Sequence, residues 1–439
     1  MGLKVLWLSA APMWRASGYG RQTNYTVKAL QQLPEVERIA VACSGGFEWG
    51  TINFNGVDHI SGFGVEKGSD ALIAAHMRAM GFDVCISLMD VWPMPQVFAS
   101  ANGGGNFKWV PIVPIDGYPL SRQTQARLVN AHQIIAMSQF GKKTMEERLP
   151  QIPITYIPHC IDTSIYRPLG NKKQFKKMIG FPEECFLVGM VAANTQNSPV
   201  VRKGFPEAIK AFSEFVKIHP DARLYLHALP YVGPESADVF ALCDMYGLDF
   251  AKYVIVLDPY MDRMGISDQQ MAMAYNAMDV YFAPSAGEGF NVPLIEAQAS
   301  GIPVVANAAT AQTENVGVGW LVPPLAPVAV PTNTQWYLAN PLGSDSACES
   351  CGHVTHQPGL LDALCTAYDE LHDEKKARRL SIDAVKFGTK FDVRAVITTY
   401  WRSFLQELAK GLGVEAAPVK LWQPGQGPEP TPIRRGRRQ

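Results

Sequence analysis

Two carboxylates stand eight residues apart in a segment that carries no other charge, YFAPSAGEGFNVPLIEAQASGIPVVA at 281–306. Glu288 follows a short strand-like run, and Glu296 lies in the helical pattern that comes next. Carboxylates repel phosphate, but they can accept paired hydrogen bonds from the vicinal hydroxyls of a sugar or a ribose. A capped helix with one exposed acid explains Glu296 alone and leaves Glu288 unexplained.

Gly289, Phe290 and Asn291 complete the turn between these acids. Asn291 is a suitable N-cap residue, and Pro293 is tolerated in a first helical turn. The free amides of the turn can hold an anion, and Gly289 permits a backbone close to a ligand. Because open α/β sheets bind ligands at the carboxyl ends of their strands, the turn predicts a site that contacts hydroxyls and phosphate.

A second chemistry-bearing stretch is Arg202-Lys203-Gly204, which begins the helical pattern GFPEAIKAFSEFVKIHP. A cation at the amino end of a helix opposes the helix dipole and costs stability there. It is favourable where a phosphate lies between the cation and the helix. Lys203 is therefore a candidate for binding a diphosphate, while Arg202 either assists it or points to solvent.

Acids also follow two strand-like runs in the first half of the chain. Asp116, in VPIDGYP, could bind a sugar hydroxyl or the acceptor, or it could simply begin the turn. Asp90, in SLMDVWP, is a weaker candidate on the acceptor side.

The turn SGYGRQT (17–23) follows the first strand and resembles a dinucleotide-binding loop. Thr23 stands where that motif has its third glycine, and no acid closes the second strand, so a nicotinamide site is disfavoured. Gly18 and Gly20 either face a diphosphate or form an ordinary strand–helix turn. Arg21 could reach a phosphate or a salt bridge equally well.

The elements that position these residues alternate between short apolar runs and amphipathic helical segments. Continuous apolar strands of this kind are typical of parallel sheets covered on both faces. Two such series, joined near 168–183, predict two doubly wound domains. The predicted strands are 4–10, 38–43, 83–88, 108–115, 133–137 and 154–158 in the first series, and 186–193, 222–229, 253–257, 279–283 and 302–306 in the second.

The stretch 281–306 resembles the Glu-x7-Glu motif of the retaining, nucleotide-sugar-dependent glycosyltransferases with the GT-B fold, the glycosyl transferases of group 1. Other segments resemble that family in the expected order, over roughly residues 4–310. In the second of them His159-Cys160 replaces the family's Asn-Gly. The segments are IIAMSQFGKKTM (134–145), YIPHCIDTSIYRP (156–168) and VVRKGFPEAIKAF (200–212).

The resemblance implies an α/β protein with two Rossmann-like doubly wound domains that face each other across a cleft. We expect an acceptor-side domain at 1–168 and a nucleotide-sugar-binding domain at 183–377. Helices at 378–412 would cross back to the first domain. The Pro-rich region 323–359 predicts an irregular insertion, and the Pro/Gly-rich tail 416–439 predicts disorder.

The resemblance also implies residue roles. Glu296 would hold the donor ribose, Glu288 would face the transferred sugar, and Lys203 would stabilise the leaving diphosphate. Gly18 and Gly20 would face the diphosphate across the cleft. Asn194 stands where the family usually has a further Arg, which puts more of the phosphate binding on Lys203. Asp116 stands near the point where many relatives have a His that reaches the sugar.

The donor implied is a nucleoside diphosphate sugar, with UDP or GDP as the expected base carriers, and transfer of a hexosyl or similar group with retention. The chain has no Asp-x-Asp pair, which metal-dependent transferases typically use. We therefore expect a metal-free site in which a lysine and helix dipoles stabilise the leaving group, and no cofactor.

The bulk composition limits the other possibilities. With 439 residues the chain is long enough for two domains, and 47% of them are hydrophobic. No apolar run reaches the length of a membrane span, although peripheral membrane contact stays open. Eight cysteines in mostly apolar segments suit a reducing cytoplasm.

Alternatives from other classes remain. The net charge of −1 gives no global attraction for nucleic acid, yet the tail RRGRR and the aromatics Trp14, Tyr19, Trp49 and Trp92 keep a DNA acceptor open. A non-catalytic binder of sugar nucleotides is a third hypothesis. Cys348, Cys351, His353 and His356 have ligand-like spacing, so they are either a structural zinc site or reduced loop residues.

Overall fold

The structure is a computed structural model, and it describes most of the chain. The described residues are 2–45, 50–62, 70–92, 94–194, 202–233, 236–324, 326–330, 335–339 and 359–414, with the backbone alone at 326–330 and 335–339. Trp49, the possible zinc ligands at 348–356 and the tail from 415 lie outside these ranges. The predictions made for them therefore stay predictions.

The first half of the chain forms an eight-stranded sheet with the order β3-β4-β2-β1-β5-β6-β7-β8. The pairs are parallel except for the antiparallel pair β3–β4. Its elements are β1 (Leu3–Ser9), α1 (Gly18–Leu30), β2 (Val36–Cys43), β3 (Thr51–Phe54), β4 (Val57–Ser61), α2 (Asp70–Met80), β5 (Val84–Leu88), β6 (Trp109–Val113), α3 (Arg122–Leu128), β7 (Ile134–Ala136), α4 (Gln139–Glu146) and β8 (Ile154–Tyr156).

The second half forms a six-stranded parallel sheet with the order β11-β10-β9-β12-β13-β14. Its elements are α5 (Lys172–Met178), β9 (Phe186–Val191), α6 (Phe205–Ile218), β10 (Ala222–His227), α7 (Val239–Met245), α8 (Phe250–Tyr253), β11 (Val254–Val256), α9 (Pro259–Met264), α10 (Asp268–Ala277), β12 (Val280–Ala283), α11 (Val292–Ala299), β13 (Val304–Asn307), α12 (Gln312–Asn315) and β14 (Gly319–Val322).

Burial explains why the apolar runs form central strands. Every residue of β5, β6 and β12 is buried, as expected for strands covered on both faces. The two deepest indoles still satisfy their polar atoms, because the Nε1 of Trp7 donates to Thr23 at 3.3 Å and that of Trp109 donates to Ser87 at 2.9 Å. The polar handles of these large rings thus fix how α1 and β5 sit against their neighbours.

The strand order reverses once in each sheet, between β1 and β5 in the first and between β9 and β12 in the second. Such a reversal opens a crevice at the carboxyl ends of the strands. The segments that leave β1, β5, β6, β9 and β12 hold the chemistry-bearing residues predicted from the sequence. Both sheets therefore direct their switch points toward the same set of side chains.

The C-terminal helices are α13 (Leu360–His372), α14 (Glu374–Gly388), α15 (Val393–Val396) and α16 (Arg402–Gly411). The backbone of α14 packs on α11, with Gly388 directly against Ala299, so α14 belongs to the second half. The chain crosses back at 389–392, where Ile161 forms a bridge with Asp392. The crossing thus begins about ten residues later than the predicted 378. Among the described residues, no helix is long and apolar enough to span a bilayer.

All eleven predicted strands are present, but the sequence analysis missed others. The hairpin β3–β4 turns at Asn55 and Gly56, which both have positive φ, a combination typical of a two-residue hairpin loop. The region 323–359 is not wholly irregular, because β15 (Ala326–Val330) and β16 (Gln335–Ala339) form an antiparallel pair there. Its Pro and Asn residues were interpreted as an interruption, although they flank two short strands.

Candidate active site

Glu288 lies in the turn between β12 and α11 and is only 6% exposed. Its backbone amide donates to the hydroxyl oxygen of Thr310 at 2.8 Å, and that hydroxyl is 2.9 Å from the Glu288 carbonyl. Thr310 itself has a positive φ of 48°, which is uncommon for a β-branched residue. The segment after β13 therefore fixes the backbone that carries the first acid of the pair.

Two cations converge on the Glu288 carboxylate. The Nζ of Lys203 lies 2.7 Å from Oε1 and 2.9 Å from Oε2, and the Nη1 of Arg202 lies 3.1 Å from Oε2. Gly204 is held at a φ of 72°, and a Cβ there would lie 2.5 Å from the carbonyl oxygen of Pro284. The close approach of these two backbones places the amino end of α6 beside the exit of β12. The second stretch predicted from the sequence thus meets the first.

The electrostatics of this cluster keep Glu288 ionised. Burial alone would raise the pKa of its carboxyl, but the Lys203 ammonium and the Arg202 guanidinium outweigh burial and hold the pKa at about 2. A carboxyl of this kind is a permanent anion at neutral pH. It can accept hydrogen bonds and balance charge, but it cannot donate a proton.

Asp116 faces the same cluster from the first half. Its Oδ2 lies 3.5 Å from the Nε of Arg202, so one guanidinium spans the cleft between Asp116 and Glu288. Burial raises the pKa of Asp116 despite the neighbouring Arg202. The residue follows β6, and the structure brings it together with Arg202, Lys203 and Glu288.

Tyr19 and Asp90 extend this cluster along the edge of the first sheet. The Tyr19 hydroxyl donates to Oδ2 of Asp90 at 2.9 Å. Burial raises the pKa of Asp90, and the charge of Asp116 adds to that shift. Tyr19 was singled out from the sequence only as an aromatic residue. Its position between Gly18 and Gly20, in the turn that leaves β1, was the available signal for a place in the site.

The predicted glycines have structural neighbours of their own. A Cβ on Gly20 would lie 2.2 Å from the carbonyl oxygen of Arg15, so the turn before α1 requires a glycine there, whereas Gly18 faces open space. A Cβ on Gly289 would lie 2.7 Å from the Cβ of Pro114. Gly289 therefore lets the two halves approach each other. From the sequence alone, this glycine was expected to permit the close approach of a ligand.

Glu296, the second acid of the pair, lies within α11 and is 2% exposed. Its Oε2 accepts from the hydroxyl of Tyr275 at 2.7 Å, and its Oε1 lies 4.0 Å from the Nη1 of Arg21. Burial raises the pKa of Glu296, while Arg21 acts in the opposite direction. The acid predicted to bind ribose is thus enclosed in this structure, with Tyr166 as a further neighbour.

Arg21 ties the two halves together beside Glu296. Its Nη2 donates to the carbonyl of Ile266 at 2.9 Å, its Nε lies 3.1 Å from Asp268, and its Nη1 donates to the Tyr166 hydroxyl at 3.3 Å. The sequence left a phosphate contact and a salt bridge equally open for this residue. In this structure the salt bridge is formed.

Three residues of the predicted donor-binding set have side chains with other partners. The side-chain amide of Asn194 makes three hydrogen bonds to loop backbone. Phe290 packs its buried ring against His159 and Phe391, which leaves only its backbone for a ligand. Asn291 occupies the N-cap position with a φ of 69° but makes no side-chain cap, and it donates instead to Gln312 at 3.2 Å.

The described residues contain no group of three or more His, Cys, Asp or Glu that could hold a metal ion. The sequence analysis missed two polar groups around Glu288, which are Ser285 in the same turn and Thr310 after β13. No local spacing marks Thr310, which becomes visible only through the pairing of β12 with β13.

The fold class follows from similar solved structures. Sucrose-phosphate synthase from Thermosynechococcus elongatus aligns with a TM-score of 0.65 at 17% identity, over 93% of this chain and 100% of that one. Anabaena HepE in complex with UDP and glucose aligns with a TM-score of 0.64 at 17% identity, over 94% of this chain and 99% of that one. The two facing sheets are the predicted GT-B fold.

The sequence comparisons report similarity to one family. Residues 188–340 match the model of the family described as glycosyl transferases group 1. A D-inositol 3-phosphate glycosyltransferase of Corynebacterium kroppenstedtii is 26% identical over 249 residues, which are 55% of this chain and 52% of that protein. The chain thus spans about half the length of that curated relative. This similarity over residues 188–340 confirms the resemblance to the glycosyl transferases of group 1 that the sequence predicted.

Proposed function

We propose that the protein is a retaining glycosyltransferase that moves a sugar from a nucleoside diphosphate sugar to an acceptor hydroxyl without a metal ion. One observation carries the proposal. Lys203 and Arg202 converge on Glu288 at the switch point of the second sheet, directly across from Asp116 of the first. Cations, a permanent anion and a facing acid are the groups that transfer from a diphosphate requires.

The two cations are the proposed diphosphate site. Without donor they neutralise Glu288, so a bound diphosphate would share them with that carboxylate. Two fixed positive groups at the amino end of α6 can meet the negative charge that grows on the leaving phosphate, which makes a bridging metal ion unnecessary. The binding of UDP and glucose by Anabaena HepE, which has a similar fold, supports a nucleotide donor.

The proposed reaction forms a bond between the acceptor oxygen and the anomeric carbon on the face that the phosphate leaves. The bond between that carbon and the phosphate oxygen breaks, and the acceptor proton passes to the leaving phosphate. Glu288 would accept hydrogen bonds from the sugar hydroxyls, because at a pKa of about 2 it has no proton to give. Asp116 would orient the acceptor from the opposite side.

Glu296 is the proposed ribose ligand, and its enclosure implies an opening step. Arg21 and Tyr166 close over this acid from the first half, while Tyr275 holds it from the second. A ribose can reach the carboxylate only after these first-half groups withdraw. Closure after donor entry would then exclude water, which otherwise hydrolyses the donor.

The test begins with donor identity. We expect thermal stabilisation of the full chain by UDP or GDP and none by adenosine monophosphate. Transfer from the matching sugar nucleotide would then be followed by nuclear magnetic resonance of the anomeric proton, with and without EDTA. Lack of stabilisation by every nucleoside diphosphate would contradict the site, an inverted product would contradict retention, and loss of activity in EDTA would contradict metal independence.

A further inference from the structure

Three large exposed aromatic residues lie at the carboxyl edge of the first sheet. Trp14 follows β1 and is 39% exposed, Trp92 follows β5 and is 57% exposed, and Tyr118 follows β6 and is 49% exposed. The strands β1, β5 and β6 are direct neighbours in the sheet. We call these three rings, with Asp90 and Asp116, the aromatic edge.

The aromatic edge is partly rigid. The ring of Trp14 packs against His59 at 4.7 Å and against Phe54 at 5.4 Å between centroids, so the β3–β4 hairpin supports it. Since neighbouring strands are about 4.8 Å apart, the edge from β1 to β6 spans roughly 10 Å before the side chains extend it, about two or three pyranose rings. The rings can therefore contact an extended ligand along several units.

The charges on this edge are mainly negative at its centre. Asp90 accepts a hydrogen bond from the neutral hydroxyl of Tyr19. Asp116 lies 3.5 Å from the guanidinium of Arg202 in the other half. Arg15 and Arg122 are exposed on the same side of the sheet, and neither forms an ion pair with Asp90 or Asp116 among the described residues. The charged residues closest in the chain to Trp92 and Tyr118 are Asp90 and Asp116, each two residues before its ring.

Aromatic rings beside carboxylates suit one class of ligand. The C–H faces of sugar rings pack on aromatic faces, and carboxylates accept hydrogen bonds from paired hydroxyls. Single-stranded nucleic acids also stack on aromatics, but their binding grooves are lined with cations that follow the backbone. The arrangement here pairs stacking surfaces with anions instead.

We propose that the acceptor is a neutral oligosaccharide that lies along the aromatic edge and presents a hydroxyl to Asp116. The inference rests on the proposed function and names its acceptor class. Trp92 and Tyr118 stack on the sugar units, and Asp90, fixed by Tyr19, orients one of them. A phosphorylated acceptor, such as the one named for the inositol phosphate relative, does not fit this edge.

The test is a glycan array probed with the full-length protein, with and without saturating UDP. The array carries neutral oligosaccharides, sialylated and phosphorylated glycans, inositol phosphate, and single-stranded and duplex DNA. We expect neutral oligosaccharides of two or more units to bind. Trp92→Ala and Tyr118→Ala should each weaken that binding about tenfold, which corresponds to about 1.4 kcal/mol, while Trp92→Phe retains most of it. Met245→Ala, an exposed apolar residue on α7, is the matched control.

Three results would overturn the inference. They are binding of phosphorylated ligands or DNA alone, binding of nothing on the array, and glycan binding that neither aromatic substitution changes. Thermal unfolding of each variant confirms that it folds. Stabilisation by UDP reports on the donor site separately, so a protein that binds UDP but no glycan contradicts only this inference. One that binds glycans but no nucleotide contradicts the proposed function.

Discussion

The two edges that face each other across the cleft differ in charge. The second sheet offers Lys203 and Arg202 around one buried acid, Glu288, which also bonds to Ser285. The first sheet offers Asp90 and Asp116, with the phenol of Tyr19 bonded to Asp90 and exposed aromatic rings on the same edge. Arg202 is the one described residue that contacts acids on both edges.

This difference teaches how one cleft can handle two unlike substrates. A diphosphate requires fixed cations, and a polyhydroxyl acceptor requires hydrogen-bond acceptors and flat apolar surfaces. Under the proposed function, cations on the second sheet and carboxylates on the first would keep a phosphate away from the position proposed for the acceptor. The predictions that follow test each edge in turn.

Replacement of Lys203 by Ala should have the largest effect on transfer. The ammonium meets charge that grows as the sugar–phosphate bond breaks, so its loss should lower kcat by about 100- to 1,000-fold with a smaller change in donor KM. Steady-state kinetics with varied donor measure this effect. Lys217→Ala, on the exposed side of the same helix, is the control and should retain full activity.

The same variant also tests stability. Glu288 keeps Arg202 as a partner in Lys203→Ala, so the fold should persist with a loss of about 1–3 kcal/mol in the free energy of unfolding. Denaturant titration measures that loss. A folded Lys203→Ala variant with wild-type kcat would show that the Lys203 ammonium takes no part in the reaction.

Glu288→Gln should lower kcat by about 10- to 100-fold and leave donor KM unchanged or reduced. The neutral amide frees two cations to bind the diphosphate, while the anion that accepts hydrogen bonds from the sugar is lost. Donor titrations separate the two parameters. An increase in donor KM at constant kcat would instead assign Glu288 to donor binding alone.

Glu296→Gln should raise donor KM by about tenfold, with little change in kcat, because a ribose contact contributes about 1–3 kcal/mol in both ground and transition states. Tyr275→Phe removes the hydroxyl that bonds this acid and should show a smaller increase. Isothermal titration with UDP measures both variants. Equal binding by all three proteins would contradict the ribose assignment.

The smallest expected effect concerns His159, whose ring packs against that of Phe290 at 5.1 Å between centroids. Burial lowers the pKa of His159 to about 3. The contribution of His159 to the free energy of unfolding is thus complete above pH 6.5, which is its pKa in the unfolded chain. That contribution declines as the pH falls toward 3. Between pH 7.5 and 4.5 the free energy of unfolding should therefore fall, because the unfolded chain takes up a proton at His159 and the folded chain does not.

His159→Phe should show a correspondingly smaller loss of unfolding free energy over that range, because the ring contact remains and the titrating group does not. Urea titrations at the two pH values provide the comparison. The exposed His372→Phe serves as the control. An identical pH dependence in His159→Phe and wild type would show that burial does not keep His159 neutral.

The sequence predicted the strands and the acids for a physical reason. Burial on both faces leaves continuous apolar runs, and the candidate site residues Asp116 and Glu288 lie in the turns that follow them. Short edge strands leave a weaker pattern. The β3–β4 hairpin was missed because its strands are short and mix polar with apolar residues, and because β3 is largely exposed, although Asn55-Gly56 marked its turn.

The partners of the site residues were harder to predict, because they depend on contacts that are distant in the chain. The residue type of Asn194 suggested a ligand contact, but a loop more than thirty residues away uses its whole amide group. The hydroxyl of Tyr19 meets Asp90 only through the order of strands β1 and β5. Such pairings follow from the topology and leave no periodic pattern in the sequence.

Gly289 has a consequence for the fate of a bound donor. A single methyl group at this position would collide with Pro114 on the opposite half and act as a wedge at the mouth of the cleft. We expect Gly289→Ala to reduce discrimination between the acceptor and water and to leave nucleotide affinity unchanged. In the variant, water would react with the bound donor and release free sugar. The absence of a methyl group at Gly289 would thus favour transfer to the acceptor over hydrolysis.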